Sequence, residues 1–105
     1  MEHRNIILCC GGGLSSGFLA QQGRKAAKKR KLDVNIEAKS ESEVTQYFGR
    51  MDILMVGPHY AFRMEAFTEQ AAPYGIPVVL IPEDIYSMLD GAALLDLAIK
   101  TLEDK

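Results

Sequence analysis

The chain has 105 residues, 48% of them hydrophobic and 25% charged, which excludes a disordered polymer and fits one domain over residues 1–105. Its net charge of −2 excludes nucleic-acid binding by overall charge. Its apolar runs fall far short of the ~20 residues of a membrane span, so no insertion into a membrane is expected.

Strand-like and helix-like segments alternate along the chain. Asn5-Ile6-Ile7-Leu8-Cys9 is a short apolar run suited to a strand buried on both faces. Gly11-Gly12-Gly13 ends it. A helix is predicted from about Ser15 to Lys31, with Leu14, Phe18, Leu19, Ala26 and Ala27 largely on one side. Ser15 or Ser16 is its expected N-cap, and basic residues near its end suit the helix dipole.

Val34-Asn35-Ile36-Glu37-Ala38 alternates with period two and reads as a second strand, nearer an edge. A short helix follows from Glu41 to Tyr47, started by Ser40 or Ser42. Asp52 to Val56 is a third strand, stopped by Gly57-Pro58. Phe62 to Ala72 reads as a helix closed by Pro73 and Gly75. Val78 to Ile81 is a fourth strand, stopped by Pro82. The last helix runs from about Asp90, its expected N-cap, to Glu103. This alternation implies right-handed βαβ crossovers and a parallel sheet of four strands in a three-layer sandwich. Ligands bind such sheets beyond the carboxyl ends of the strands, where the loop Cys10 to Ser16 belongs.

The start MEHRNIILCC lacks the pattern of a secretory signal, and the only two cysteines, Cys9 and Cys10, are neighbours. They cannot staple distant segments, and nothing nearby completes a zinc site with them, so no metal is expected. A reducing cytoplasm is the expected compartment.

Cys10-Gly11-Gly12-Gly13-Leu14-Ser15-Ser16 joins a buried strand to a helix N-terminus. Three glycines leave the backbone N–H groups unobstructed, and consecutive N–H groups at the positive end of a helix form an anion nest. Ser15 and Ser16 add hydroxyl donors. The same dipoles lower the pKa of a thiol at the head of the loop. The expected chemistry is a Cys10 thiolate that attacks phosphorus, with Gly11 to Ser16 holding the phosphoryl oxygens. No cofactor is required.

These residues resemble the phosphorylation loop of enzyme IIB, lactose/cellobiose group, of the phosphoenolpyruvate-dependent sugar phosphotransferase system (PTS). Asp52-Ile-Leu-Met-Val-Gly-Pro is similar to the family's third strand, and Ile85-Tyr86 and Asp90-Gly91 also match in place. The resemblance implies a flavodoxin-like sheet in order 2-1-3-4, similar to small cysteine-loop phosphatases. It implies a phosphocysteine at Cys10, charged from a phosphohistidine of enzyme IIA. The phosphoryl group then passes to a sugar, expected to be a β-linked disaccharide, carried by the membrane enzyme IIC. A monomer is the simplest form of such a carrier. The three consecutive glycines and Gly17 depart from the Ser/Ala/Gly/Met/Thr-rich loops of the family, which leaves the donor set and the sugar open.

A phosphatase or reductase of the cysteine-loop type is the alternative. That class needs an arginine at the sixth position after the cysteine and an Asp-Pro acid; here the position is Ser16, and no Asp-Pro occurs. Nucleotide and dinucleotide phosphate motifs are also missing.

Each singled-out residue has a plainer reading. Cys10 as a small buried strand-end residue is one, and a vicinal disulfide with Cys9 is another. Cys9 reads best as a core thiol packed like a small hydrophobe. The glycine run also suits a plain tight connection. His59, after Gly57-Pro58 on the loop side of the sheet, is an exposed histidine or a rim contact to phosphoryl group or partner. Tyr86 is a weaker rim candidate. Tyr60, Phe62, Met64 and Phe67 read as packing or rim residues.

The charge is lopsided. Residues 1–50 carry nine Lys/Arg against five Asp/Glu, and residues 51–105 carry three against nine. Six of the basic residues lie between Arg24 and Lys31. They read as a solvated helix face, or as a docking surface for an acidic partner.

Overall fold

The computed structural model describes residues 3–9 and 14–104. Four parallel strands form one sheet: β1 (Arg4–Cys9), β2 (Val34–Lys39), β3 (Ile53–Val56) and β4 (Val78–Leu80). Their order is β2-β1-β3-β4, the order that the family resemblance implies. The helices are α1 (Leu14–Lys29), α2 (Glu41–Tyr47), α3 (Met64–Ala71), α4 (Glu83–Ser87) and α5 (Gly91–Glu103).

The two central strands are buried on both faces, which explains their unbroken apolar runs. Alternate residues face opposite layers. Ile6, Leu8, Ile53 and Met55 pack with Leu19 of α1 and Leu94, Leu95 and Ala98 of α5. Ile7, Cys9, Leu54 and Val56 pack with Val44 of α2 and Phe67 and Ala71 of α3. These two cores make the three layers. The amino-terminal end of β1 is held by Asp52, whose carboxylate accepts the Asn5 N–H at 2.7 Å. The edge strand β2 has its Ile36 carbonyl covered by a hydrogen bond from Arg24 at 2.6 Å.

Helix ends depart from the predicted ones for local reasons. α1 starts at Leu14, so Ser15 and Ser16 lie in its first turn and neither is the N-cap. It stops at Lys29 rather than Lys31. Lys31 turns left-handed at φ 57°, its N–H bonding Lys28 O and that of Leu32 bonding Ala27 O. This is a Schellman closing built on lysine instead of glycine. Leu89, at φ 51°, closes α4 in the same way.

α4 is not expected from the sequence. Pro82 precedes it, and Glu83 and Asp84 fill its first turn, where acidic side chains suit the dipole. The helix predicted over 62–72 is two pieces. A 3₁₀ segment, Pro58–Arg63, is interrupted at Tyr60 and leads into α3. A second 3₁₀ turn, Ala72–Tyr74, ends on Gly75 at φ 67°. Asp90 caps α5 as expected, its carboxylate accepting the Ala93 N–H at 3.0 Å. Ser40 opens α2. The Glu43 carboxylate turns back to accept from its N–H at 3.3 Å and its Oγ at 2.9 Å, which holds Glu43 below the usual carboxylate range.

Candidate functional site at the carboxyl ends of the strands

All four strands run the same way, so their carboxyl ends and the connections leaving them share one edge of the sheet. β1 ends there at Cys9 and α1 begins at Leu14. Cys10 and Gly11 to Gly13 lie outside the described residues. Leu14, Ser15 and Ser16 open α1, and their side chains are also outside the description.

At the same edge of the sheet stand the first residues of α2, the turn Gly57-Pro58-His59 after β3, and α4 after β4. The exit of β1 is tied to that of β3 by the Gly57 N–H donating to Cys9 O at 2.9 Å. His59 and Tyr86 come from different connections, yet their rings meet edge-to-face with centroids 5.5 Å apart. The two rim residues singled out from the sequence are therefore neighbours. Tyr60 and Met64 pack against the α2/α3 core and Phe67 is fully buried within it. Phe62 is 75% exposed, and its ring meets that of Tyr60 edge-on at 5.6 Å.

Cys9 is fully buried beside Val56, Val44 and Phe67. Burial pushes its thiol up to about 11, with Glu41 adding to the rise and Arg63 opposing it. A thiol so held stays protonated near neutrality and is a poor nucleophile. The expectation of a packing role for Cys9 agrees with this.

Glu41 and Arg63 escape a reading of the sequence. Glu41 Oε1 lies 2.7 Å from Arg63 Nε, joining the connection after β2 to that after β3. They are 22 positions apart, and no local pattern pairs them. The basic run is partly structural: Arg24 bonds the edge strand, and Arg30 pairs with Asp96 on α5. Lys25 and Lys29 line a groove of about 450 Å³ between α1 and the α4–α5 corner, beside exposed Met88. Among the described residues no cluster of His, Cys, Asp or Glu suits a metal ion, and no helix is long and apolar enough to cross a membrane.

This architecture is shared with solved proteins. The lactose-specific IIB component domain from Streptococcus pneumoniae superposes with a TM-score of 0.86 at 17% identity, over 94% of this chain and 97% of that one. The cellobiose-specific phosphotransferase IIB component from Borrelia burgdorferi gives 0.83 at 32% identity, over 99% and 95%. The fold is that of a IIB domain. Residues 5–97 match the sequence profile of the family described as PTS system, Lactose/Cellobiose specific IIB subunit, and the chain belongs to that family. The galactose-specific EIIB component of Lactococcus lactis subsp. cremoris (strain MG1363) is 29% identical over 103 residues, covering 93% of this chain and 95% of the relative. The cellobiose-specific EIIB component of Lactococcus lactis subsp. lactis (strain IL1403) has the same identity and coverage.

Proposed function

We propose that this protein is a phosphocarrier that takes a phosphoryl group onto Cys10 from a phosphohistidine of enzyme IIA. It then hands the group to a sugar held by the membrane enzyme IIC. The observation that carries this reading is the position of Cys10 in the chain. It directly follows the last residue of a central strand and precedes, by three glycines, the first turn of α1. A helix start with its free N–H groups and positive dipole end favours an anion there. Family membership supports the same chemistry.

In the first step the Cys10 thiolate attacks phosphorus in line with the phosphorus–nitrogen bond of the donor. The sulfur–phosphorus bond forms, the phosphorus–nitrogen bond breaks, and its electron pair goes to the imidazole nitrogen, which takes a proton. In the second step a sugar hydroxyl oxygen attacks phosphorus. The sulfur–phosphorus bond breaks, the thiolate is regenerated, and the hydroxyl proton is released to solvent. Backbone N–H groups from Gly11 to Ser16, with the Ser15 and Ser16 hydroxyls, offset the charge spread over the transferring group. His59 and Tyr86 form part of the rim on which the partners dock. The work is cytoplasmic, and the carrier is a monomer of one domain.

The sugar is a β-linked disaccharide on this reading. Relatives named for cellobiose and, in Bacillus subtilis (strain 168), for oligo-beta-mannoside support that class. The test is phosphoryl labelling from phosphoenolpyruvate through the general PTS proteins and a matching IIA. A thiol-linked label kept in Cys9→Ser and lost in Cys10→Ser is expected. Label retained in Cys10→Ser would refute the assignment.

A further inference from the structure

The outer side of α1 carries a positive stripe that the fold does not use. Phe18, Gln22, Lys25 and Lys29 recur at helical spacing on the side turned away from buried Leu19, Ala20 and Ala27, with Lys28 beside them. The neighbouring arginines are engaged: Arg24 bonds Ile36 O, and Arg30 pairs with Asp96. Lys25, Lys28 and Lys29 are exposed, and among the described residues no carboxylate pairs with them. Lys25 and Lys29 face the groove of about 450 Å³ whose other wall is the α4–α5 corner. Leu89 turns that corner at φ 51° and packs its side chain against the α1/α5 core, which leaves Met88 77% exposed. The N–H groups of Met88, Leu89 and Asp90 donate to the carbonyls of Asp84, Tyr86 and Ile85 and pin the corner. Met88 is therefore a fixed apolar knob beside two lysines. Asp90, which also lines the groove, is turned to the Ala93 N–H.

We propose that this face of α1, with Met88, is a peripheral docking surface for an anionic lipid bilayer. Lysines one turn apart attract phosphate headgroups, and the exposed thioether beside them reaches the boundary of the acyl chains. A charged patch and an apolar contact together supply the two signals that reversible attachment needs. No element crosses the bilayer. The chain as a whole carries a charge of −2, so attraction requires this face to turn toward the lipid, and the patch sets orientation as well as affinity. A membrane protein's own cytoplasmic loops fit the patch poorly, because they carry an excess of Lys and Arg, whereas the headgroups around them are acidic. The choice of a bilayer rests on the reading of this chain as a carrier that delivers to a membrane enzyme; the face itself takes no part in the phosphoryl chemistry.

The test is sedimentation of the full chain at low salt with vesicles of phosphatidylglycerol and phosphatidylcholine in equal parts, with thermal unfolding measured on each variant. Binding is expected to the mixed vesicles and not to phosphatidylcholine alone, and it weakens as salt is raised. Lys25→Gln and Lys29→Gln are each expected to lower the partition coefficient about fivefold, and Met88→Ser about threefold. The triple change of Lys25, Lys28 and Lys29 to Gln should leave the protein in the supernatant. Arg50→Gln makes the same change of charge in the 3₁₀ turn after α2, on the opposite layer, and should stay within about twofold of the parent. Equal losses in Arg50→Gln and Lys25→Gln would mean an effect of net charge and overturn the inference. An unchanged partition in Met88→Ser would also overturn it, by reducing the face to a general attraction for polyanions. Absence of vesicle binding, with label transfer from IIA slowed in Lys25→Gln, would give the face to a partner protein instead. Cys10→Ser should bind vesicles like the parent. Label retained in that variant with normal vesicle binding removes the carrier reading and leaves the docking surface, whereas label lost there without vesicle binding by the parent removes only the surface.

Discussion

Gly91 lies against the backbone of Gln22 so closely that a Cβ on it would sit 2.2 Å from the Gln22 carbonyl carbon and 2.4 Å from its oxygen. The start of α5 thus crosses α1 without a side chain between them. Gly91→Ala is expected to lower stability by about 2–3 kcal/mol, despite alanine's better helix propensity, because backbone atoms cannot rotate out of the way. Urea unfolding measures it. Ala92→Gly, one position on and exposed, should lose only about 1 kcal/mol, from propensity alone. Equal losses in the two variants would show that the close crossing is not the cause.

Lys31 holds a left-handed conformation at φ 57° at the end of α1, with its side chain exposed. An L-residue there is strained by about 1 kcal/mol, which glycine relieves at some cost in unfolded-chain entropy. Lys31→Gly is expected to raise stability by about 0.5 kcal/mol. A lower melting temperature in that variant would argue against the Schellman closing as described.

Cys9 sets a pH dependence whose sign is fixed by its burial. Its thiol moves from an ordinary 9.0 up to about 11 in the folded protein. Between those values the native state keeps a proton that the unfolded chain releases, so stability falls as pH rises from about 9 to about 11. The loss attributable to this group reaches at most about 3 kcal/mol, because each pKa unit is worth about 1.4 kcal/mol. In a Cys10→Ser background, Cys9→Ala should unfold more easily at about pH 8, by about 1 kcal/mol for the cavity, yet lose less stability between about pH 8 and about pH 10.5. Parallel pH curves for the two proteins would count against a buried neutral thiol.

The His59–Tyr86 edge contact joins two connections on the rim of the sheet. If this rim receives enzyme IIA, His59→Ala should raise the KM for phosphorylated IIA about fivefold. His59 is exposed, so stability should change by no more than about 0.5 kcal/mol. An unchanged KM would remove His59 from the docking surface.

Much of the fold is legible along the chain because its signals are local. The apolar runs of β1 and β3, the alternation of β2, the Gly57-Pro58 stop and the Asp90 cap each act within a few residues. So does the strand–glycine–helix sequence around Cys10, which is why the amino-acid order alone suffices to single out the candidate acceptor. The expected capping by Ser15 or Ser16 fails because helix starts shift by a residue or two with the approach of the preceding chain. α4 escapes notice because five residues carry too little periodicity, although Pro82 followed by two acidic residues is a usable sign.

The features that depend on tertiary structure have long separations. The composition and the unequal cysteines are set in the chain itself: 105 residues with no apolar run of membrane-spanning length, one thiol in a strand-like run and one heading a glycine loop. Only packing decides that Cys9 is sealed between α2 and α3, where desolvation keeps it protonated. Packing also brings Glu41 to Arg63, His59 to Tyr86 and Gly91 to Gln22. Each of these contacts exists because parallel strands in the order 2-1-3-4 return distant connections to one edge or layer helices across one face, and no local period in the chain encodes that return.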